Sequence, residues 1–75
     1  MDVLITSARI KSLCKSQKIA IKSLLEATNI NRNFIYDLEK SRQIPSADKL
    51  ERIADELGCS VDYLLGRTDK PEVNR

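Results

Sequence analysis

The fold of this chain is decided by the stretch AIKSLLEATNINRNFIYDLEK, residues 20–40. Leu24 and Leu25 form the apolar face of one short helix, and Ile35 and Leu38 form the apolar face of a second. The residues between these pairs are typical of a turn, because polar side chains break the apolar periodicity. The pattern therefore predicts two helices that meet across a turn of three or four residues.

The turn residues fit this arrangement. Asn29 is one of the few residues besides glycine that adopts the left-handed backbone conformation needed to end a helix sharply. Ile30 can fill the gap between the helices, and Asn31 can cap the next helix by accepting a backbone N–H. The second helix is predicted to span residues 31–40, beginning at Asn31 or Arg32. Helices joined in this way form a helix-turn-helix, whose second helix enters the major groove of DNA.

Helical geometry identifies the exposed face of this second helix. If Ile35 and Leu38 face inward, several polar side chains must point outward. The candidates for contact with DNA bases are Arg32, Asn33, Tyr36 and Asp37.

The N-terminal part of the chain is predicted to form one helix and a turn. Residues 5–17 have helical apolar spacing, with Thr6 or Ser7 available as a cap. The polar face of this helix carries lysines that are either solvated or in contact with DNA phosphates, namely Lys11, Lys15 and Lys18. The chain then turns into a helix that begins at Ala20 or Ile21. Lys18 stands where a helix-ending glycine is expected, at a cost of about 1 kcal/mol.

Two further helices follow the predicted helix-turn-helix. Ser46 caps ADKLERIADEL, whose apolar face consists of Leu50, Ile53, Ala54 and Leu57. Gly58 ends this helix, and Ser60 caps a last short helix that ends at Gly66. Residues 1–66 are therefore one predicted DNA-binding domain. The polar tail of residues 67–75 has no apolar periodicity and is expected to be mobile.

Composition excludes several classes of protein. Seventy-five residues form one small domain, and no apolar run approaches the length of a membrane span. The N-terminal MDVLITSARI lacks the features of a signal peptide. With no histidine, Cys14 and Cys59 are predicted to be reduced core thiols of a cytoplasmic protein rather than zinc ligands. We find no nucleophile or phosphate-loop motif, so we expect neither an enzyme nor a cofactor, a small-molecule substrate or a membrane partner.

Charge is distributed unevenly along the chain. Residues 1–25 contain five basic side chains and one acidic side chain, whereas residues 45–75 contain five basic and seven acidic ones. The basic end is the end with the predicted helix-turn-helix. Such asymmetry is typical of a surface that binds phosphates, although a solvated helix face can produce it as well.

The segment RIKSLCKSQKIAIKSLLEATNINRNFIYDLEKSRQIPSADKLERIADELGCSVDYLLG resembles the DNA-binding domain of the Cro/phage-repressor (XRE-like) family. The specific parts are Ile30-Asn31, Ile35 with Leu38-Glu39, Pro45-Ser46 and IADELGCSVDYLLG. The resemblance implies an all-α, five-helix bundle of the lambda-repressor-like type. It also implies a regulator of transcription, in most cases a repressor, that binds double-stranded DNA at a palindromic operator as a homodimer.

The resemblance places base-reading residues at Arg32, Asn33 and Asp37. Arginine suits guanine and an amide suits adenine, whereas Asp37 either accepts from cytosine or pairs with Arg32 or Lys40. Tyr36 can stack, bond a phosphate or cover the edge of the core. Contacts to the DNA backbone are expected around the first helix of the motif and after the second. These candidates, whose alternative interpretation is ordinary surface, are Lys22, Lys40, Ser41, Arg42 and Gln43.

Three positions depart from the family pattern. Phe34 stands where the family generally has a small or polar residue, and Ile21 stands where it often has a glutamine that contacts the DNA backbone. Cys14 replaces an arginine that often pairs with the glutamate at position 39. Glu39 must therefore find another donor, such as Arg9, or stay partly exposed.

Two other classes of function remain open. A helical protein-interaction module, antitoxin-like or anti-regulator, could have kept the fold without specific DNA binding. An exposed apolar patch at Ile21 and Phe34 would favour that module, and burial of both would favour DNA. The chain could also be a fragment of a larger sensor whose ligand-binding half follows Arg75.

Overall fold

A computed structural model describes residues 3–72. The regular secondary structure within this range is entirely α-helical, in agreement with the predicted five-helix, all-α fold. The first two residues and residues 73–75, the last part of the tail that was expected to be mobile, lie outside the described range. In chain order the helices are α1 (Val3–Gln17), α2 (Ile21–Ala27), α3 (Phe34–Ser41), α4 (Ala47–Leu57) and α5 (Val61–Leu64).

The core forms around α1, which packs against each of the other four helices. Ile10 of α1, Ile53 of α4 and Leu64 of α5 are completely excluded from solvent. The four residues predicted to form the apolar face of α4 are all buried. Burial of each such aliphatic side chain stabilises the fold by about 1.5–3 kcal/mol, so packing rather than helix propensity holds these short helices.

The predicted caps of the last two helices are confirmed. Ser46 accepts a hydrogen bond from the Lys49 N–H at 3.3 Å, and Ser60 accepts one from the Tyr63 N–H at 3.0 Å. Gly58 ends α4 in the left-handed conformation, with φ 68°.

The turns on either side of α2 also have left-handed residues where the sequence predicted them. Lys18 has φ 59° and Asn29 has φ 58°. The N–H of Ile30 donates to the Leu25 carbonyl at 2.8 Å, which closes the C-terminal end of α2. The Ile30 side chain is buried, so its predicted place in the gap between the two helices is confirmed.

The predicted start of α3 was wrong by two or three residues. The Asn31 side chain accepts a hydrogen bond from the Asn33 N–H at 2.8 Å, and the Asn31 carbonyl accepts one from the Phe34 N–H at 2.9 Å. These local bonds form a turn that competes with the helix, as asparagine side chains commonly do. The helix therefore begins at Phe34, and six residues, 28–33, separate it from α2 rather than three or four.

The ends of two helices differ from prediction for similarly local reasons. The helix was predicted to end at residue 40, but the Ser41 hydroxyl donates to the Asp37 carbonyl and Ser41 stays in α3. Arg42 then ends α3 in the left-handed conformation, with φ 56°. Helix α1 begins at Val3, so Thr6 and Ser7 are buried inside the helix and are not its cap.

Residues 67–72 lie against α5 and α1. The Arg67 N–H donates to the Asp62 carbonyl, and the Ser60 N–H donates to the Pro71 carbonyl, both at 2.9 Å. The Thr68 carbonyl accepts a hydrogen bond from the guanidinium group of Arg9. No helix in the described part of the chain is long and apolar enough to span a membrane.

Candidate nucleic-acid interface

The four predicted base-contacting residues are all exposed and lie together at the N-terminal end of α3. Arg32 and Asn33 belong to the turn that precedes the helix, and Tyr36 and Asp37 lie in its first turn. The turn is held against the core, because Ile30 before it and Phe34 after it are both buried. The arrangement presents a guanidinium group, an amide, a phenol and a carboxylate on one small surface.

Tyr36 points into solvent with 61% of its surface exposed, so it does not cover the edge of the core. Lys40 Nζ donates to the Tyr36 hydroxyl at 3.2 Å and lies 5.4 Å from the centre of the ring. The two residues are one helical turn apart and form a joint polar surface.

Asp37 does not form the intrahelical pair that was one of its two predicted roles. Among the described residues its carboxylate has no ion pair with Arg32 or Lys40. Its backbone groups form hydrogen bonds within the helix and its N-terminal turn. The Asp37 N–H donates to the Asn33 carbonyl, and the Asp37 carbonyl accepts from the Ser41 hydroxyl. The carboxylate is therefore free to accept from a partner outside the chain.

The predicted backbone-contacting residues are all exposed. Lys22 lies in the first turn of α2, and Lys40 to Gln43 form the end of α3 and the start of the next loop.

Beside this loop is an open cleft of about 240 Å³, lined by Phe34, Ile44 and Ser46 among others. Ile44 is 57% exposed, the most exposed large aliphatic side chain in the described part of the chain.

The two unusual apolar residues do not form an exposed patch. Phe34 is buried in the core, and Ile21 is half-buried and packs against the core. Phe34 therefore serves as a packing residue of the turn.

Glu39 has different donors from the one suggested by sequence. Its Oε2 atom accepts hydrogen bonds from the Ser7 hydroxyl at 2.8 Å and from Lys11 Nζ at 2.9 Å. These two bonds, that of Lys11 first, hold the pKa of the Glu39 carboxyl below its ordinary value. The suggested donor Arg9 instead bonds the carbonyls of Tyr63 and Thr68. Ser7 and Lys11 lie four residues apart on α1, so both face Glu39 on α3, but this spacing alone does not identify their distant partner.

Both thiols are free and buried, as the sequence predicted. Burial raises the pKa of the Cys14 thiol and that of the Cys59 thiol, because the thiolate would lose its hydration. No group of three or more His, Cys, Asp or Glu residues within residues 3–72 is arranged to hold a metal ion.

The fold is that of a helix-turn-helix domain, and comparison with known proteins identifies its family. A family model for the Cro/C1-type HTH DNA-binding domain matches residues 9–70. The chain therefore belongs to this family of DNA-binding regulators, as its sequence motifs predicted.

Two curated relatives are similar over most of this chain. The immunity repressor protein of Bacillus phage phi105 is 36% identical over 58 residues, which are 77% of this chain and 40% of that protein. The uncharacterized HTH-type transcriptional regulator YobD of Bacillus subtilis strain 168 is 34% identical over 64 residues, which are 85% of this chain and 57% of that protein. The chain thus spans about half the length of these relatives. No solved structure matches it significantly.

Proposed function

We propose that this chain represses transcription in the cytoplasm by binding a palindromic operator as a homodimer, with α3 in the major groove. The observation that carries the proposal is the cluster of exposed polar side chains at the N-terminal end of α3, above a turn that is fixed by buried Ile30 and Phe34. The DNA-binding unit of this proposal comprises residues 1–66.

Base reading is assigned to the turn and the first turn of α3. Arg32 donates in bidentate fashion to O6 and N7 of guanine, and Asn33 pairs with N6 and N7 of adenine. The free carboxylate of Asp37 accepts from N4 of cytosine, which adds selectivity but repels nearby phosphates. Tyr36 and Lys40 contact DNA together, the ring against a base or sugar and the ammonium group against a phosphate.

Contacts to the DNA backbone are assigned to Lys22 and to residues 40–43. These residues are exposed, and residues 40–43 continue α3 and the following loop beyond the base-reading cluster. Their side chains are of the types that commonly contact the sugar-phosphate strands bordering a groove. The basic excess of the first 25 residues favours the approach of the domain to DNA.

Repression is supported by the name of one relative, and dimerisation by the general binding mode of helix-turn-helix proteins. The phage phi105 relative is an immunity repressor. A helix-turn-helix dimer reads two half-sites about one helical turn of DNA apart, so its operator is an inverted repeat. Phe34 is buried and Ile21 is half-buried, which supports DNA as the partner over a protein-interaction module.

The proposal is tested by selecting, from random-sequence duplexes, those that the purified protein retains. Enrichment of an inverted repeat would support specific dimeric binding and would give the half-site spacing. Sedimentation of the protein on the enriched duplex then checks for two chains per site. If folded protein enriches no sequence at low salt, the proposal is wrong and the protein-interaction module becomes the better hypothesis.

A further inference from the structure

Helices α1 and α3 are joined by a polar cluster that lies outside the proposed DNA contacts. Ser7 and Lys11 of α1 both donate to the same carboxylate oxygen of Glu39 on α3. Ser7 is completely buried, whereas the side chains of Lys11 and Glu39 are 46% and 39% exposed. We call these three residues the α1–α3 brace.

The brace acts at the end of α3 that has the least apolar packing. Phe34, Ile35 and Leu38 are buried, but Lys40 and Ser41, which follow Glu39, are exposed. Apolar packing is not directional, whereas hydrogen bonds restrict both distance and angle. The brace adds two directional hydrogen bonds between α1 and α3 to the apolar packing of α3, and it therefore opposes small rotations of α3 about its axis. Binding groups must be held within about 0.5 Å of their working positions, so a small rotation would impair base reading.

Lys11 requires a different assignment from the other lysines of α1. Its ammonium group is 2.9 Å from the Glu39 carboxylate, so its charge is already paired. A lysine that contacts a phosphate releases counterions and makes binding more dependent on salt, whereas a paired lysine contributes little of this effect. Salt dependence can therefore distinguish the two roles.

We propose that Ser7, Lys11 and Glu39 are positioning residues that hold α3 in the orientation required for reading bases, and that Lys11 acts through Glu39 rather than on a phosphate. This inference rests on the proposed function, because it requires α3 to read the operator. It assigns a role in specificity to residues that touch no base.

The test measures affinity for the enriched duplex and for a shuffled duplex at several salt concentrations, with circular dichroism as the check on folding. Lys11→Ala and Glu39→Ala should each reduce the ratio of the two affinities by about threefold to tenfold, a coupling typical of residues in one network. The double variant should reduce the affinity ratio no more than whichever single variant reduces it more, because the two residues act through one contact. Lys11→Arg should restore the ratio, and Glu39→Gln replaces Glu39→Ala if the latter does not fold.

Lys15→Ala is the matched control, because it removes the same charge from α1 at an exposed residue whose side chain has no partner among residues 3–72. It should leave the affinity ratio unchanged. Lys11→Ala should also leave the salt slope of binding unchanged.

Two results would overturn the inference. If Lys11 contacts a phosphate, Lys11→Ala lowers the salt slope by about one on every duplex, and Glu39→Ala strengthens binding to all DNA because it frees Lys11. If the brace is only a surface ion pair, the ratio does not change in any variant. In both cases the wild-type protein still prefers the enriched duplex, whereas failure of the proposed function would remove that preference from the wild type itself.

Discussion

The guanidinium group of Arg9 lies 4.2 Å from the centre of the Tyr63 ring and donates to the Tyr63 carbonyl at 2.7 Å. The same group donates to the Thr68 carbonyl and faces the Asp69 carboxylate at 3.3 Å. One side chain of α1 therefore holds both α5 and the segment that follows it.

Replacing Arg9 should destabilise the fold. Arg9→Ala removes the guanidinium donor of the Thr68 carbonyl and one of the two donors of the Tyr63 carbonyl, which keeps the Gly66 N–H. A hydrogen bond to a charged group contributes about 1.5–3 kcal/mol. We expect the free energy of unfolding to fall by about 2–3 kcal/mol, measured by urea denaturation. Arg67→Ala is the control, because the Arg67 side chain is exposed and has no partner within residues 3–72, and it should change stability by less than about 0.5 kcal/mol. Equal effects of the two variants would contradict this role of Arg9.

The features that sequence predicted correctly are local ones. The caps Ser46 and Ser60 bond backbone groups three residues away, and Asn29 adopts its left-handed conformation within the turn itself. Apolar spacing likewise identified the buried face of α4. Such features depend on few neighbours, so a single sequence contains the necessary information.

The features that sequence did not predict depend on competition or on distant partners. Asn31 was predicted to cap α3, but its side chain accepts a hydrogen bond from the Asn33 N–H, and α3 begins later, at Phe34. The donors of Glu39 are 28 and 32 residues away, and the acceptors of Arg9 are 54 to 60 residues away. Only the packing of α1 against α3 and α5 decides which of several possible partners each charge meets.

Arg32 provides the direct test of base reading. Arg32→Ala should weaken binding to the enriched duplex by about 1–3 kcal/mol and relax the preference for one base pair, because the bidentate contact is lost. A repeated selection with the variant measures the relaxed preference. Equal losses on the enriched and shuffled duplexes would show that Arg32 only binds phosphate.

The contribution of Glu39 to stability should depend on pH. Its pKa is held below the ordinary value of 4.5 in the folded protein, chiefly by Lys11 and Ser7, so the stabilisation is fully present above that value. It should disappear as the pH falls through the lower, folded pKa. The measurement compares the unfolding free energy of the wild type with that of Glu39→Gln from pH 7 to pH 3. Glu26→Gln, an exposed residue without a side-chain partner in the described range, is the control. A difference that stays constant down to pH 3 would argue against these hydrogen bonds.

The buried thiols should react slowly. Burial raises the pKa of both Cys14 and Cys59, which leaves little thiolate at neutral pH, and packing blocks access of a reagent. We expect a thiol-specific chromogenic reagent to label neither residue in the native protein and to label both in urea. Rapid labelling of the native protein would indicate local opening of the α1 or α4 region.

Arg42 should show opposite effects on stability and on DNA binding. Its φ of 56° is a left-handed conformation that costs a residue with a side chain about 1–2 kcal/mol and costs glycine much less. Arg42→Gly should therefore raise the free energy of unfolding by about 1 kcal/mol, while it weakens binding to all DNA and lowers the salt slope by about one. Arg42→Ala removes the same side chain but keeps the backbone strain, so it should match the loss of binding without the gain in stability. If both variants bind DNA as the wild type does, Arg42 is not a phosphate contact, and its strained backbone has no role in binding.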